Sequence, residues 1–275
     1  MATRTCDHGD LYALHNVKIE HFKNFDRYTY CSEKKWRLLP LPRSLPCPID
    51  LDLFPDYEPA VSRLDPVQRA RRRIFDIINL NSWDWFVTFT LDGSLVDRYD
   101  AKAFAGKLRV YLSNLVQRQG IAYLLVPEEH RDGALHAHAL VSGDLQVVDS
   151  GTVTWRGQKR PVRRQLAQKY GIPDDMLKTV YNVPSWRIGY STAIRTYGDG
   201  YALAEYVGKY ITKDSKRIFG KWYWHGGKLI DKPDITLDDD IDFHCIDSPE
   251  YLSPVGFERY KIVIKTKEGV ANELE

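Results

Sequence analysis

Alternating and helically spaced apolar positions divide the chain into segments of predictable type. Trp85, Phe86, Val87, Thr88, Phe89, Thr90 and Leu91 form a run rich in aromatic and β-branched residues, stopped by Asp92 and Gly93, and predict a strand. Phe104, Leu108, Tyr111, Leu112 and Leu115 make one apolar stripe of a helix over about 100–119, which Gly120 ends. Residues 121–126 and 135–142 predict two antiparallel strands, joined by a polar turn over 128–133. An earlier helix opens at Asp65 and Pro66, with Asp65 as its cap, and runs to about Leu80. Farther along, 186–194 predicts a strand, Gly198, Asp199 and Gly200 a turn, and 201–213 a helix, with a short aromatic strand near Trp222. An insertion over about 143–184 is expected to carry helices near 162–170 and 173–180.

The order helix, strand, helix, strand, strand, insertion, strand, helix describes an α+β fold. A central antiparallel sheet is covered by helices, of the ferredoxin-like or RNA-recognition-motif kind. No Gly-rich phosphate loop or dinucleotide fingerprint is present, which disfavours a doubly wound nucleotide fold. Outside this region, residues 1–64 form an extension with two strands, around 11–19 and 28–39, and a Pro-rich stretch from Pro40 to Pro59. We assign the extension no chemistry. Residues 228–275 form an acidic tail with Asp238, Asp239, Asp240 and Asp242, read as loosely patterned. The intervening segment, 65–227, is the candidate functional domain.

The 275 residues are 43% hydrophobic, enough for one substantial core with attachments. There is no run of eighteen apolar residues and no apolar signal-peptide core, so the expectation is a soluble, cytoplasmic protein without a membrane partner. Cys6, Cys31, Cys47 and Cys245 lack a paired spacing and are read as free thiols. Net charge is only +2, yet it is unevenly spread. Lys and Arg number 26 against 16 acids over 61–230, and 13 against 21 elsewhere. Two basic clusters stand out: Arg69, Arg71, Arg72 and Arg73, then Lys159, Arg160, Arg163, Arg164 and Lys169. With Trp155, Tyr181, Trp186 and the stretch from Lys221 to His225, they offer phosphate neutralisation and base stacking, as single-stranded DNA requires.

The chemistry concentrates in two short stretches. In an extended strand His136 and His138 share one face, while Leu135, Ala137 and Ala139 point the other way. On a helix Tyr206, Tyr210 and Lys213 fall on one stripe, with Lys213 roughly 20° and Lys209 roughly 60° from Tyr206. Paired imidazoles are half a metal site, and surface tyrosines beside a metal suggest phosphodiester chemistry through a phosphotyrosine. A hard cation such as Mg²⁺ or Mn²⁺ needs an oxygen donor as well.

Residues 85–90, the stretch from Pro127 to His138, and residues 206–213 resemble, in that order, the three signature motifs of the HUH endonucleases. Within that group the chain most resembles the phage and plasmid rolling-circle replication initiators, the Rep proteins. The resemblance covers 65 to about 227 and leaves out the extension and the tail. It implies a divalent ion on His136, His138 and Glu128, with Glu129 as rival for the third position and His130 in a turn or on DNA. Tyr206 and Tyr210 would alternate as nucleophiles, with Lys209 and Lys213 neutralising charge. The implied partner is single-stranded DNA at a replication origin, with a host helicase and polymerase, in the cytoplasm of a bacterial cell. Other readings are a transposase or relaxase with the same chemistry, a non-catalytic single-stranded nucleic-acid binder, and a zinc hydrolase without a covalent intermediate.

Overall fold

The apolar stripe read from 100–119 becomes a helix with both ends capped: the Asp100 side chain accepts from the Lys102 and Ala103 amides, and Gly120 turns left-handed at φ 66°. In the computed structural model, Phe104, Leu108, Leu112 and Leu115 of that helix are all buried. The structure describes residues 12–38, 66–130, 132–155, 158, 160–196, 200–213, 217–239, 241–252 and 259–267. In chain order these form β1 (Tyr12–His21), β2 (Phe25–Leu38), α1 (Pro66–Leu80), β3 (Trp85–Leu91), α2 (Ala101–Gln119), β4 (Ala122–Glu129) and β5 (Leu135–Ser142). Then come β6 (Val148–Thr154), β7 (Val162–Arg163), α3 (Arg164–Lys169), β8 (Lys178–Asn182), β9 (Gly189–Arg195) and α4 (Gly200–Lys213). The last strands are β10 (Trp224–Gly226), β11 (Asp234–Asp238), β12 (Glu250–Leu252) and β13 (Arg259–Thr266).

The chain divides into two units, Pro66–Lys232 and a second made of Met1–Asp65 with Pro233–Glu275. The first is built on an eight-stranded antiparallel sheet in the order β10-β4-β5-β3-β9-β8-β6-β7. Alternation along the strands sorts side chains to two cores. Trp85, Val87, Phe89 and Leu91 of β3, with Leu135, Ala137, Ala139 and Val141 of β5, pack under the buried stripe of α2. Leu124, Val126 and Leu140, on the opposite face, pack with Ile74, Ile77 and Ile78 of α1 and Ala204 and Val207 of α4. The architecture is therefore α+β and centred on an antiparallel sheet, with helices on both faces. No helix among the described residues is long and apolar enough to cross a membrane.

The insertion departs from the expected pair of helices. Only α3 is helical, Asp174–Met176 is a three-residue 3-10 turn, and β6, β7 and β8 extend the sheet. Val153 and Val180 are the buried residues of β6 and β8, and one inward side chain per strand is too weak a pattern to read. The strand expected from Trp186 begins only at Gly189, because Trp186 closes a turn onto the Val183 carbonyl at 3.0 Å. Its indole donates to the Thr90 carbonyl at 3.1 Å. Strand β4 runs three residues past the expected end, carrying Glu128 and Glu129 into the sheet. The predicted cap Asp65, the Pro-rich stretch from Pro40 to Pro59, the turn residues Gly198 and Asp199, and Cys6, Cys47 and Asp240 lie outside the described residues.

The second unit is a five-stranded antiparallel sheet in the order β11-β1-β2-β13-β12. The tail that looks loosely patterned thus supplies three strands, and the two chain ends share one sheet. One face is covered by Ile241, Phe243 and Ile246, which pack on Val17, Ile19, Tyr28, Tyr30 and Val263.

Candidate active site

Strand register places the site. On β5, His136 lies opposite Glu128 of β4 and Thr90 of β3, and His138 lies opposite Val126 and Thr88. These side chains face the side of the sheet that carries α1 and α4. The Nδ1 atoms of both imidazoles are 3.1 Å from threonine hydroxyls, His138 with Thr88 and His136 with Thr90. His138 Nε2 lies 2.7 Å from Glu128 Oε2, and both residues are buried. A neutral His138 therefore donates from Nε2 to the carboxylate and accepts the Thr88 hydroxyl at Nδ1. Burial, then the neighbouring imidazoles of His138 and His130, lower the His136 pKa and favour its neutral ring.

Helix α4 brings the tyrosines to the same place. The Tyr210 ring stacks on His138 with centroids 4.0 Å apart, and Phe86 lies 5.7 Å from His138 and 5.3 Å from Tyr206. The Tyr210 hydroxyl donates to the Tyr206 oxygen at 2.8 Å. Burial first, and that hydrogen bond next, push Tyr210 ionisation far above the ordinary phenol range. Tyr206 is 45% exposed. The stripe reaches His138 because Ala204 and Val207, on the same helix, are buried against Leu124, Val126 and Leu140.

The other candidates are placed less centrally. Glu129 pairs with Leu135 and lies on the opposite face of the sheet from Glu128. His130 sits in the β4–β5 turn, its Nδ1 3.3 Å from Asp132 and its ring 5.4 Å from His136. Lys209 is exposed on α4, and Lys213 ends that helix with its side chain outside the described residues. On α1, which packs beside α4, Arg69, Arg71 and Arg72 are exposed and Arg73 pairs with Asp231 at 2.8 Å. Arg160, Arg163 and Arg164 are exposed around β7 and α3 at the far edge of the sheet, while Lys159 lies outside the described residues. Phe86, whose ring meets His138 and both tyrosines, is the residue that sequence reasoning misses. Its signal is present in the chain, because it alternates with Thr88 and Thr90 along β3.

Among the described residues, no three His, Cys, Asp or Glu side chains converge as a finished metal-ligand group. The chemistry of the donors nonetheless fits a divalent cation. Each imidazole has a hydroxyl partner at Nδ1, the arrangement that fixes ring orientation in metal-binding histidines and leaves Nε2 as donor. Glu128 adds the oxygen that two imidazoles lack.

Residues 84–215, from the start of β3 to just beyond α4, match the family model of the ORF2-type replication-associated proteins. No curated protein and no solved structure matches the chain. The matched stretch contains both histidines, Glu128, both threonines and both tyrosines, and over it the chain belongs to the ORF2-type replication-associated protein family.

Proposed function

We propose that this protein initiates rolling-circle replication by nicking and rejoining single-stranded origin DNA through a 5′-phosphotyrosine. Family membership supports the role in replication. The observation that carries the chemistry is the stacking of Tyr210 on His138 at 4.0 Å, which sets two phenols beside an imidazole–carboxylate cluster. A tyrosine oxygen attacks the scissile phosphorus, the bond to the 3′-oxygen breaks, and that oxygen leaves as a 3′-hydroxyl after taking a proton. The 5′-phosphate stays on the tyrosine, and rejoining is the reverse attack by a 3′-hydroxyl. A divalent cation, Mg²⁺ or Mn²⁺, held by His136, His138 and Glu128 would supply charge neutralisation at the scissile phosphate. To present Nε2 as a lone-pair donor, His138 moves its proton to Nδ1, where Thr88 Oγ1 accepts it. Lys209 and Lys213 are the cations proposed to face the strand beyond the tyrosines. The free 3′ end would prime a host polymerase, with a host helicase, in the bacterial cytoplasm.

A denaturing gel of end-labelled single-stranded origin DNA with Mn²⁺ tests this reading. The expected product is a protein–DNA adduct, lost on adding EDTA and lost in Tyr206→Phe/Tyr210→Phe. Cleavage without an adduct would point to a hydrolase, and binding without cleavage to a non-catalytic module.

A further inference from the structure

A cleft of about 560 Å³ opens at the β10 edge of the sheet, lined by Arg109, Arg217, Lys221, Tyr123, Trp222 and Trp224 among others. Among the described residues its lining contains three permanent cations and no carboxylate. The cations are interleaved with the aromatic rings: the Arg109 guanidinium lies 5.6 Å from the Trp224 ring centre and that of Arg217 lies 5.8 Å from Trp222. Arg109, Arg217 and Lys221 are exposed, whereas the two tryptophans are half-buried. Fixed ring faces beside mobile charges suit a ligand that offers a flat base and a phosphate together. The volume falls in the range of small-ligand pockets and holds one or two nucleotides rather than a duplex.

We infer that this cleft binds nucleotides of the same DNA strand that is cut at the site, stacking bases on Trp222 and Trp224 and neutralising their phosphates with Arg109, Arg217 and Lys221. The inference rests on the proposed function for the identity of the strand. Its geometry follows from register. Trp224 pairs with Leu125 of β4, and Glu128 is three residues farther along the same strand, roughly 10 Å away at the rise of an extended chain. An extended strand covers that gap in a few nucleotides, so the cleft flanks the scissile phosphate. The Arg160, Arg163 and Arg164 cluster, by contrast, lies around the opposite edge strand, five strands from β5.

The test uses the full chain, a single-stranded oligonucleotide spanning the nick, and the variant Arg109→Gln/Arg217→Gln/Lys221→Gln, all surface changes. Affinity is measured across a salt series, and adduct formation by the unsubstituted protein is read on the same oligonucleotide. Losing three phosphate contacts lowers the slope of log K against log salt by about 2 and weakens binding at least tenfold at low salt. An unchanged slope and affinity overturns the inference. In a second measurement, 5-iododeoxyuridine is placed at each position and photo-crosslinked. Crosslinks to the 217–225 segment from positions within a few nucleotides of the nick support the site, and crosslinks confined to other segments overturn it. Adduct formation with an indifferent triple variant removes the cleft and leaves the proposed reaction standing. A reduced slope with no adduct does the reverse.

Discussion

Tyr210 gives its phenolic hydrogen to Tyr206 across 2.8 Å while its own ring lies flat on His138. The two tyrosines are therefore not equivalent. Tyr210 is sheltered and strongly disfavoured as a phenolate, first by burial and then by that hydrogen bond. Tyr206 is 45% exposed and accepts the hydrogen bond. On the proposed reaction Tyr206 makes the first attack. In a single-turnover assay of adduct formation, Tyr206→Phe is expected to lose the first adduct by about a thousandfold or more, the scale of a lost nucleophile. Tyr210→Phe is expected to form it and to fail mainly in rejoining. The reverse ranking would reassign the two roles.

Thr88 touches His138 through a hydroxyl that no valine can supply. Thr88→Val keeps the shape of the strand and removes the partner of Nδ1. Partners of this kind are worth about 10–100-fold in metal affinity. The Mn²⁺ concentration for half-maximal adduct formation should rise by that factor in Thr88→Val and return towards the starting value in Thr88→Ser. An unchanged midpoint in both variants would remove Thr88 from the account.

Gly189 is where β9 crosses closest to β3. A Cβ there would sit 1.9 Å from the Thr90 carbonyl oxygen and 2.8 Å from the Leu91 Cα, both backbone atoms that cannot step aside. Gly189→Ala should cost about 3 kcal/mol or more, as an overpacked core position does. Thermal unfolding should fall by roughly 6–12 °C for a unit of this size. Because the strand that must move also carries Thr90, any folded Gly189→Ala protein should lose adduct formation out of proportion to its stability. A melting temperature within a degree of the parent would contradict the contact.

Glu20 in the terminal sheet predicts a pH dependence. Burial opposes its charge, but Arg27 Nε at 2.8 Å and Lys18 Nζ at 2.9 Å outweigh that and lower its pKa from 4.5 to about 2. A depressed carboxylate contributes stability that is full above about pH 4.5 and is lost as pH falls towards about 2. Allowing for water at the edge of the cluster, the contribution is on the order of 2 kcal/mol at neutral pH. Hydrogen exchange of β1 and β2 amides, compared between the parent and Glu20→Gln, should show that difference at pH 7 and less than half of it at pH 3. A gap that stays constant between the two pH values would mean the carboxylate is not ionised more readily in the folded chain.

The parts of the fold that the sequence discloses are those whose signal is local. Asp100, the Leu108 stripe and Gly120 define α2 within a single segment, and the alternation of β5 announces which face carries His136 and His138. Strand β4 misleads because Pro127 reads as a breaker. β10 pairs only with Tyr123, Leu124 and Leu125, so beyond them β4 is an edge strand and tolerates a proline. Strand β6 hides because a register shift between Asp149 and Thr152 interrupts its alternation. In the tail, the Tyr260 to Lys265 run is a legible strand once charge is set aside, but its partner is not. Pairing with β2 depends on residues at the other end of the chain. The tyrosine stripe of α4 is likewise legible, while its meeting with His138 depends on the packing of Ala204 and Val207 on the sheet.

Lys267 reaches the carbonyl of Phe22 across 245 positions of chain. During synthesis the first hairpin leaves the ribosome roughly 10–50 s before β13 can follow it, at ordinary elongation rates. For that interval β1 and β2 expose an unpaired edge in a nascent polypeptide whose middle is already able to condense around α2. The order of translation thus makes the terminal sheet the last piece to close, and it leaves the newborn hairpin in need of shelter from neighbouring chains on the same message.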